Sequence, residues 1–151
     1  MPRRVATRGF TLIELIVVIL LIALAVSVTA FSMSSMLESA RVKAASRDLV
    51  AALRFTRGQA IVQRESQALE IDVEARSFTV PGRKPVEFPR SVEVKLLTAR
   101  SEQIDETRGR IRFYRDGSST GGNVRLIAGE REWRVDVAWL TGEVNLREVQ
   151  L

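Results

Sequence analysis

Between Phe10 and Phe31 the sequence FTLIELIVVILLIALAVSVTAF holds fifteen Leu, Ile, Val or Phe residues and one charged residue, Glu14. No other feature restricts the fold as much. As a helix this block would be about 33 Å long, enough to span a hydrocarbon core of about 30 Å. Each large apolar residue favours insertion by about 0.3–0.6 kcal/mol at mid-membrane, against about 2.5–3.5 kcal/mol for a central acid. The sum favours insertion despite Glu14, which lies near one end and so costs less. A membrane helix over 10–31 is the first expectation.

Two plainer readings compete. The block could be the apolar part of a cleaved secretory signal, with a basic segment before it and the small residues Val28-Thr29-Ala30 at its end. It could also be a simple anchor. Against a signal, Glu14 sits inside the apolar run, where a signal has no use for an acid. The helix-compatible pattern also continues well past Ala30, with no Pro between Arg3 and Val80 and no Gly between Phe10 and Arg57.

The net charge of +5 is misleading until it is located. Arg3, Arg4 and Arg8 precede the apolar block, and without them the charge is +2. Charges of both signs intersperse along the rest, as on a solvated surface. Arg41, Lys43 and Arg47 follow the block, so the positive-inside rule gives no orientation. The chain has neither Cys nor His. That excludes disulfides and thiol chemistry, and removes the commonest general base and metal ligand.

Arg8-Gly9-Phe10-Thr11-Leu12-Ile13-Glu14 resembles the processing motif of type IV pilins and pseudopilins, in which a prepilin peptidase cuts after the Gly and methylates the new amine. The resemblance implies cleavage after Gly9, N-methylation at Phe10, and a role in assembly for Glu14, paired with the Phe10 amine of a neighbouring subunit. It also places the leader in the cytoplasm and the bulk of the chain in the periplasm. The residue types suit this chemistry. Gly9 has no Cβ to obstruct a protease at its carbonyl, and a carboxylate in lipid needs a partner. The rival role for Glu14 is to snorkel to the interface.

Beyond the block, Val42, Ala45, Leu49 and Leu53 step by three and four, with Ala60 seven further on, and Val50 and Ile61 form a shoulder. This predicts a helix to about Gln63 that packs on a domain core, with Gly58 weakening its last turns. After Glu65 the period becomes two. Leu69-Ile71-Val73, Val92-Val94-Leu96, Ile111-Phe113, Val124-Leu126-Ala128 and Trp133-Val135-Val137-Trp139 each share one parity, and a last strand is expected near Glu143–Leu146. Pro81, Pro85 and Pro89 mark an irregular crossing, and polar residues 100–109 read as a loop. The expected fold is α+β: a long N-terminal helix packed on antiparallel sheets of about six or seven strands. Both Trp133 and Trp139 are expected to face the core.

Phe113-Tyr114-Arg115-Asp116-Gly117-Ser118-Ser119-Thr120-Gly121-Gly122 resembles the signature of H-type minor pseudopilins of type II secretion, and Val135-Asp136-Val137 with Trp139-Leu140-Thr141-Gly142 resembles the ending of that group. Arg115 and Glu143 depart from the pattern. Read from residues alone, Asp116, Gly117, Ser118, Ser119, Thr120, Gly121 and Gly122 form a turn. A phosphate loop would need a Lys and a following helix.

Catalysis has no support: Ser118 and Ser119 lack a His, and Asp105-Glu106 lie in a polar loop. Neither an enzyme, a cofactor nor a metal is expected. Nucleic acid is the alternative partner, because Arg108, Arg110 and Arg112 share a parity that could line a phosphate-binding face; acids across the sheet would cancel it. The expected organisation is a leader over 1–9, a membrane helix over 10–31, a periplasmic continuation over 32–64 and a β-rich domain over 65–151. The resemblance implies a single-pass inner-membrane protein, partnered by prepilin peptidase and by other minor and major pseudopilins. In a pseudopilus tip complex it would prime assembly and aid export of folded proteins. A DNA-binding minor pilin of a type IV pilus is the second reading.

Overall fold

The computed structural model describes residues 10–150, apart from the side chains of 28–36. One helix, α1, runs Leu12–Gln63. The chain divides into two units, Met1–Leu37 and Glu38–Leu151.

In the first unit the helix starts at Thr11. Its carbonyl accepts the Leu15 N–H at 3.2 Å, and its hydroxyl accepts the Glu14 N–H at 3.3 Å. Thr11 is therefore the N-cap, and Glu14 stands three residues on, in the spacing of a capping box. The described side chains that follow are exposed and almost all apolar; Ser27 satisfies its hydroxyl on the Ala23 carbonyl at 2.8 Å. A helix apolar on every side buries nothing by itself and needs lipid or protein around it. Among the described residues no helix is long and apolar enough to cross a membrane; the last residues of the span expected over 10–31 lie outside the described side chains.

In the second unit α1 buries Val42, Ser46, Leu49, Leu53, Thr56 and Ala60, a stripe stepping by three and four. Ser46 and Thr56 can join it because their hydroxyls donate to the carbonyls of Lys43 and Ala52, both at 2.8 Å. Gly58 does not end the helix. The stop comes at Arg64, whose φ of 59° is left-handed and turns the chain out.

Eight antiparallel strands follow: β1 Gln67–Asp72, β2 Ser77–Thr79, β3 Val86–Glu87, β4 Glu93–Thr98, β5 Arg108–Phe113, β6 Gly122–Ala128, β7 Arg131–Val137 and β8 Val144–Gln150. They form two sheets, ordered β3-β2-β1-β5 and β4-β6-β7-β8. Cross-strand pairs Leu69–Ile111, Leu126–Trp133 and Val135–Leu146 build the core from the period-two positions. The strand beyond the expected six or seven is β3, two residues within the Pro-rich crossing, where Phe88 is buried with its ring 5.4 Å from that of Phe78.

Two local expectations are corrected. Trp139 is 69% exposed, whereas Trp133 is 1% exposed. Strand β7 ends at Val137, so strand parity no longer decides where residue 139 points. The 100–109 segment is also more than a solvated loop. It contains a 3-10 turn, Arg100–Glu102, and buries Glu102.

Candidate functional site

The first candidate site is the start of α1. Gly9, the expected cleavage position, lies outside the described residues. Phe10 precedes the Thr11 cap and is 80% exposed. Glu14 occupies the first turn, also exposed. A carboxylate there lies at the positive end of the helix dipole. Thr11 was given no role by sequence reading. Its signal was present nonetheless: a Thr three residues before a Glu at the head of an apolar run.

The second is the glycine-rich segment between β5 and β6. The Asp116 carboxylate accepts the Ser118 N–H at 3.0 Å and the Ser118 hydroxyl at 2.6 Å. These bonds, the hydroxyl first, hold the Asp116 carboxyl below its ordinary pKa. Gly117 takes φ +84°. The buried Ser119 then reaches across to the β7–β8 turn. Its N–H donates to the Trp139 carbonyl at 2.8 Å and its hydroxyl to that of Ala138 at 3.0 Å, while its oxygen accepts the Gly121 N–H at 3.0 Å. Thr120 and Arg112 exchange two bonds, Thr120 N–H to the Arg112 carbonyl at 2.9 Å and Arg112 N–H to the Thr120 hydroxyl at 3.1 Å.

Two glycines are needed for close approach. A Cβ on Gly122 would lie 2.5 Å from the Leu97 carbonyl oxygen, and one on Gly142 would lie 2.1 Å from that of Gly117. The two motif segments, 113–122 and 135–142, are thus one structural unit. Helix α1 joins it through Arg57, whose Nε–H donates to the Gly117 carbonyl at 2.9 Å. The arrangement spends its polar groups on itself and works as a brace joining both sheets' connections to the helix.

The arginine comb is neutralised. Arg112 holds Glu102 by two bonds, 2.7 Å from Nε and 3.1 Å from Nη2, and Arg110 Nε lies 3.5 Å from the same carboxylate. That pairing raises the Arg112 pKa. Arg108 bonds Asp105 at 2.7 Å and lies 3.8 Å from Glu70. The hydrogen bond from Arg108 is the main reason that the Asp105 carboxyl falls to about 2, and the Thr107 N–H contributes next. With acids already on all three guanidinium groups, a phosphate backbone would have to displace them. Glu102 was missed from sequence because its partners lie across a loop, beyond any local period.

Comparisons with known proteins address the whole chain. The family model for type II transport protein GspH matches residues 45–141, and that for the prokaryotic N-terminal methylation motif matches residues 4–30. Type II secretion system protein H of Xanthomonas campestris pv. campestris is 39% identical over 138 residues, covering 91% of this chain and 82% of that protein. Among solved structures, the minor pseudopilin EpsH from the Type 2 Secretion System of Vibrio cholerae superposes with a TM-score of 0.54 at 12% identity, covering 73% of this chain and 97% of that one. The type IV minor pilin FimU of Pseudomonas aeruginosa gives 0.50 at 15% identity, covering 73% and 90%. At such identities these two likenesses speak for the fold alone.

Proposed function

The chain belongs to the type II transport protein GspH family, and from that premise we propose that it serves as a minor pseudopilin of a type II secretion system. Prepilin peptidase cuts after Gly9 and methylates the Phe10 amine. The apolar helix over 10–31 holds the chain in the bacterial inner membrane, with the β-rich unit in the periplasm. The mature subunit joins other minor and major pseudopilins in the tip complex that primes pseudopilus assembly and aids export of folded proteins.

One observation carries this proposal: the methylation-motif match over 4–30 encloses Gly9, Phe10 and Glu14 and runs straight into the helix that leads to the family-matched region. The chemistry supports it further. Cleavage at Gly9 leaves a cation at Phe10, one residue before the Thr11 cap and one turn from Glu14. Methylation keeps that charge. In an apolar bundle the amine of one subunit and the Glu14 carboxylate of the next would neutralise each other, where each alone is costly to bury.

The test is Glu14→Leu. For a simple anchor the change removes a cost, so membrane insertion is unimpaired. For an assembling subunit it leaves a cation unpaired, at about 3–5 kcal/mol where the pair is well buried. The variant is expected to be cleaved and membrane-bound, yet to co-purify poorly with its partner pseudopilins and to lower secretion. Normal recovery of the complex together with normal secretion would rule out the pairing role.

A further inference from the structure

Beside the last turns of α1 the second unit has a cleft of about 240 Å³, lined among others by Phe55, Gln59, Gln63, Gln67, Pro81 and Arg83. The guanidinium of Arg83 lies over the Phe55 ring, 4.2 Å from its centroid. Stacking of this kind occupies the face of the guanidinium and leaves its N–H edge for a planar acceptor. Among the described residues that edge has no acidic partner, in contrast to the paired Arg108, Arg110 and Arg112.

The glutamines are ordered in one direction. Gln67 Nε2 donates to Gln63 Oε1 at 2.8 Å, and Gln63 Nε2 donates to Gln59 Oε1 at 2.7 Å. The chain of bonds therefore ends on the Gln59 amide nitrogen, whose two protons remain for another acceptor. Gln59 follows Phe55 by one helical turn, so this donor end adjoins the Arg83–Phe55 stack. The Thr56 hydroxyl is already committed to Ala52. That corner of the cleft offers donors beside apolar walls.

We propose that the cleft binds the carboxylate of an acidic side chain carried by an extended segment of another polypeptide. The Arg83 fork would take the carboxylate edge-on, with Gln59 as an additional donor and Phe55 and Pro81 flanking the aliphatic stem. The small volume suits one side chain rather than a cofactor, since small-molecule sites usually run from about 300 Å³ upward. The negative end of the α1 dipole nearby opposes any anion, and it opposes a dianionic phosphate more than a singly charged carboxylate, so the Arg83 fork must outweigh it. The site uses residues of the second unit only and does not depend on the assembly role of Glu14.

The test uses the full chain, ¹⁵N-labelled in detergent micelles. The probes are the blocked tripeptide acetyl-Ala-Glu-Ala-amide, its Ala-Gln-Ala counterpart and inorganic phosphate. The Gln59 side-chain amide and Arg83 Nε–H resonances report binding. One charge-assisted contact gives weak affinity, with a Kd of about 1 mM. The Glu peptide is expected to shift both resonances saturably, with the Gln peptide at least about tenfold weaker. With Gln59 as the reporter in the variants, Arg83→Gln should abolish its shift and Arg83→Lys should retain part of it; Arg83 is exposed, so the fold should not change in either variant. Equal shifts with the Gln peptide, no saturation, undiminished binding in Arg83→Gln, or tighter binding of phosphate would each overturn the proposal.

Discussion

The Nε–H of Arg57 donates to the carbonyl oxygen of Gly117 across 2.9 Å, joining a helical side chain to the backbone of a loop sixty residues away. Gly142 packs against the same carbonyl, at φ +63° and with no space for a Cβ. One oxygen thus brings together the helix, the β5–β6 loop and the β7–β8 turn.

Both partners of that oxygen should matter to stability. Gly142→Ala combines left-handed strain with a clash against backbone and is expected to cost at least about 2 kcal/mol. Arg57→Met removes a charge-assisted bond and is expected to cost about 1–3 kcal/mol. Thermal unfolding of the full chain in micelles, followed by near-ultraviolet circular dichroism, measures both. A Gly142→Ala variant as stable as the parent would show that the turn is not held as described.

Acid sensitivity should trace in part to Asp105. Its carboxyl ionises more readily in the folded chain, at about 2 against an ordinary 3.8. Such a group stabilises the fold above its unfolded pKa and loses that contribution as the pH falls through the folded value. Stability should therefore decline between about pH 4 and pH 2. Asp105→Asn should flatten that limb by lowering the neutral-pH plateau slightly, while changing little below about pH 2. The effect should be small, because the pair is solvent-screened. Urea midpoints at a series of pH values provide the check, and an unchanged acid limb would contradict it.

The two tryptophans should differ sharply. Trp133 is buried in the second sheet and Trp139 is exposed on the β7–β8 turn. Acrylamide should quench one fluorescence component readily and the other poorly. Trp139→Phe should remove the readily quenched component, and equal shielding of both would refute the placement.

That contrast also shows where sequence patterns stop being informative. Parity placed Trp133, Val135 and Val137 correctly because a strand face is a local property. It failed at Trp139 because the strand had ended, and the turn follows from Ser119 and Gly121, which come from elsewhere in the chain. The helical stripe was legible at Val42, Leu49, Leu53 and Ala60. Ser46 and Thr56 look polar in sequence, yet they bury because each hydroxyl bonds to its own helix. Glu102 sits in a run of polar residues that reads as solvated. Only its pairing with Arg110 and Arg112 makes its burial tolerable. At the N-terminus the position is reversed: Arg8 to Glu14 fall within the match to the methylation motif, whereas the fold adds only the Thr11 cap.

Processing is therefore the sharpest test of the pseudopilin assignment. The measurement is intact and peptide mass spectrometry of the chain's N-terminus, taken from native membranes. The expected mature chain begins at Phe10 and carries one methyl group on its amine, and replacing Gly9 by a bulky residue should block the cut while leaving membrane insertion intact. A mature chain beginning at Phe31 would contradict the account, because the apolar block would then be a conventional secretory signal cleaved after Ala30. An unprocessed chain in membranes that contain active prepilin peptidase would contradict it equally.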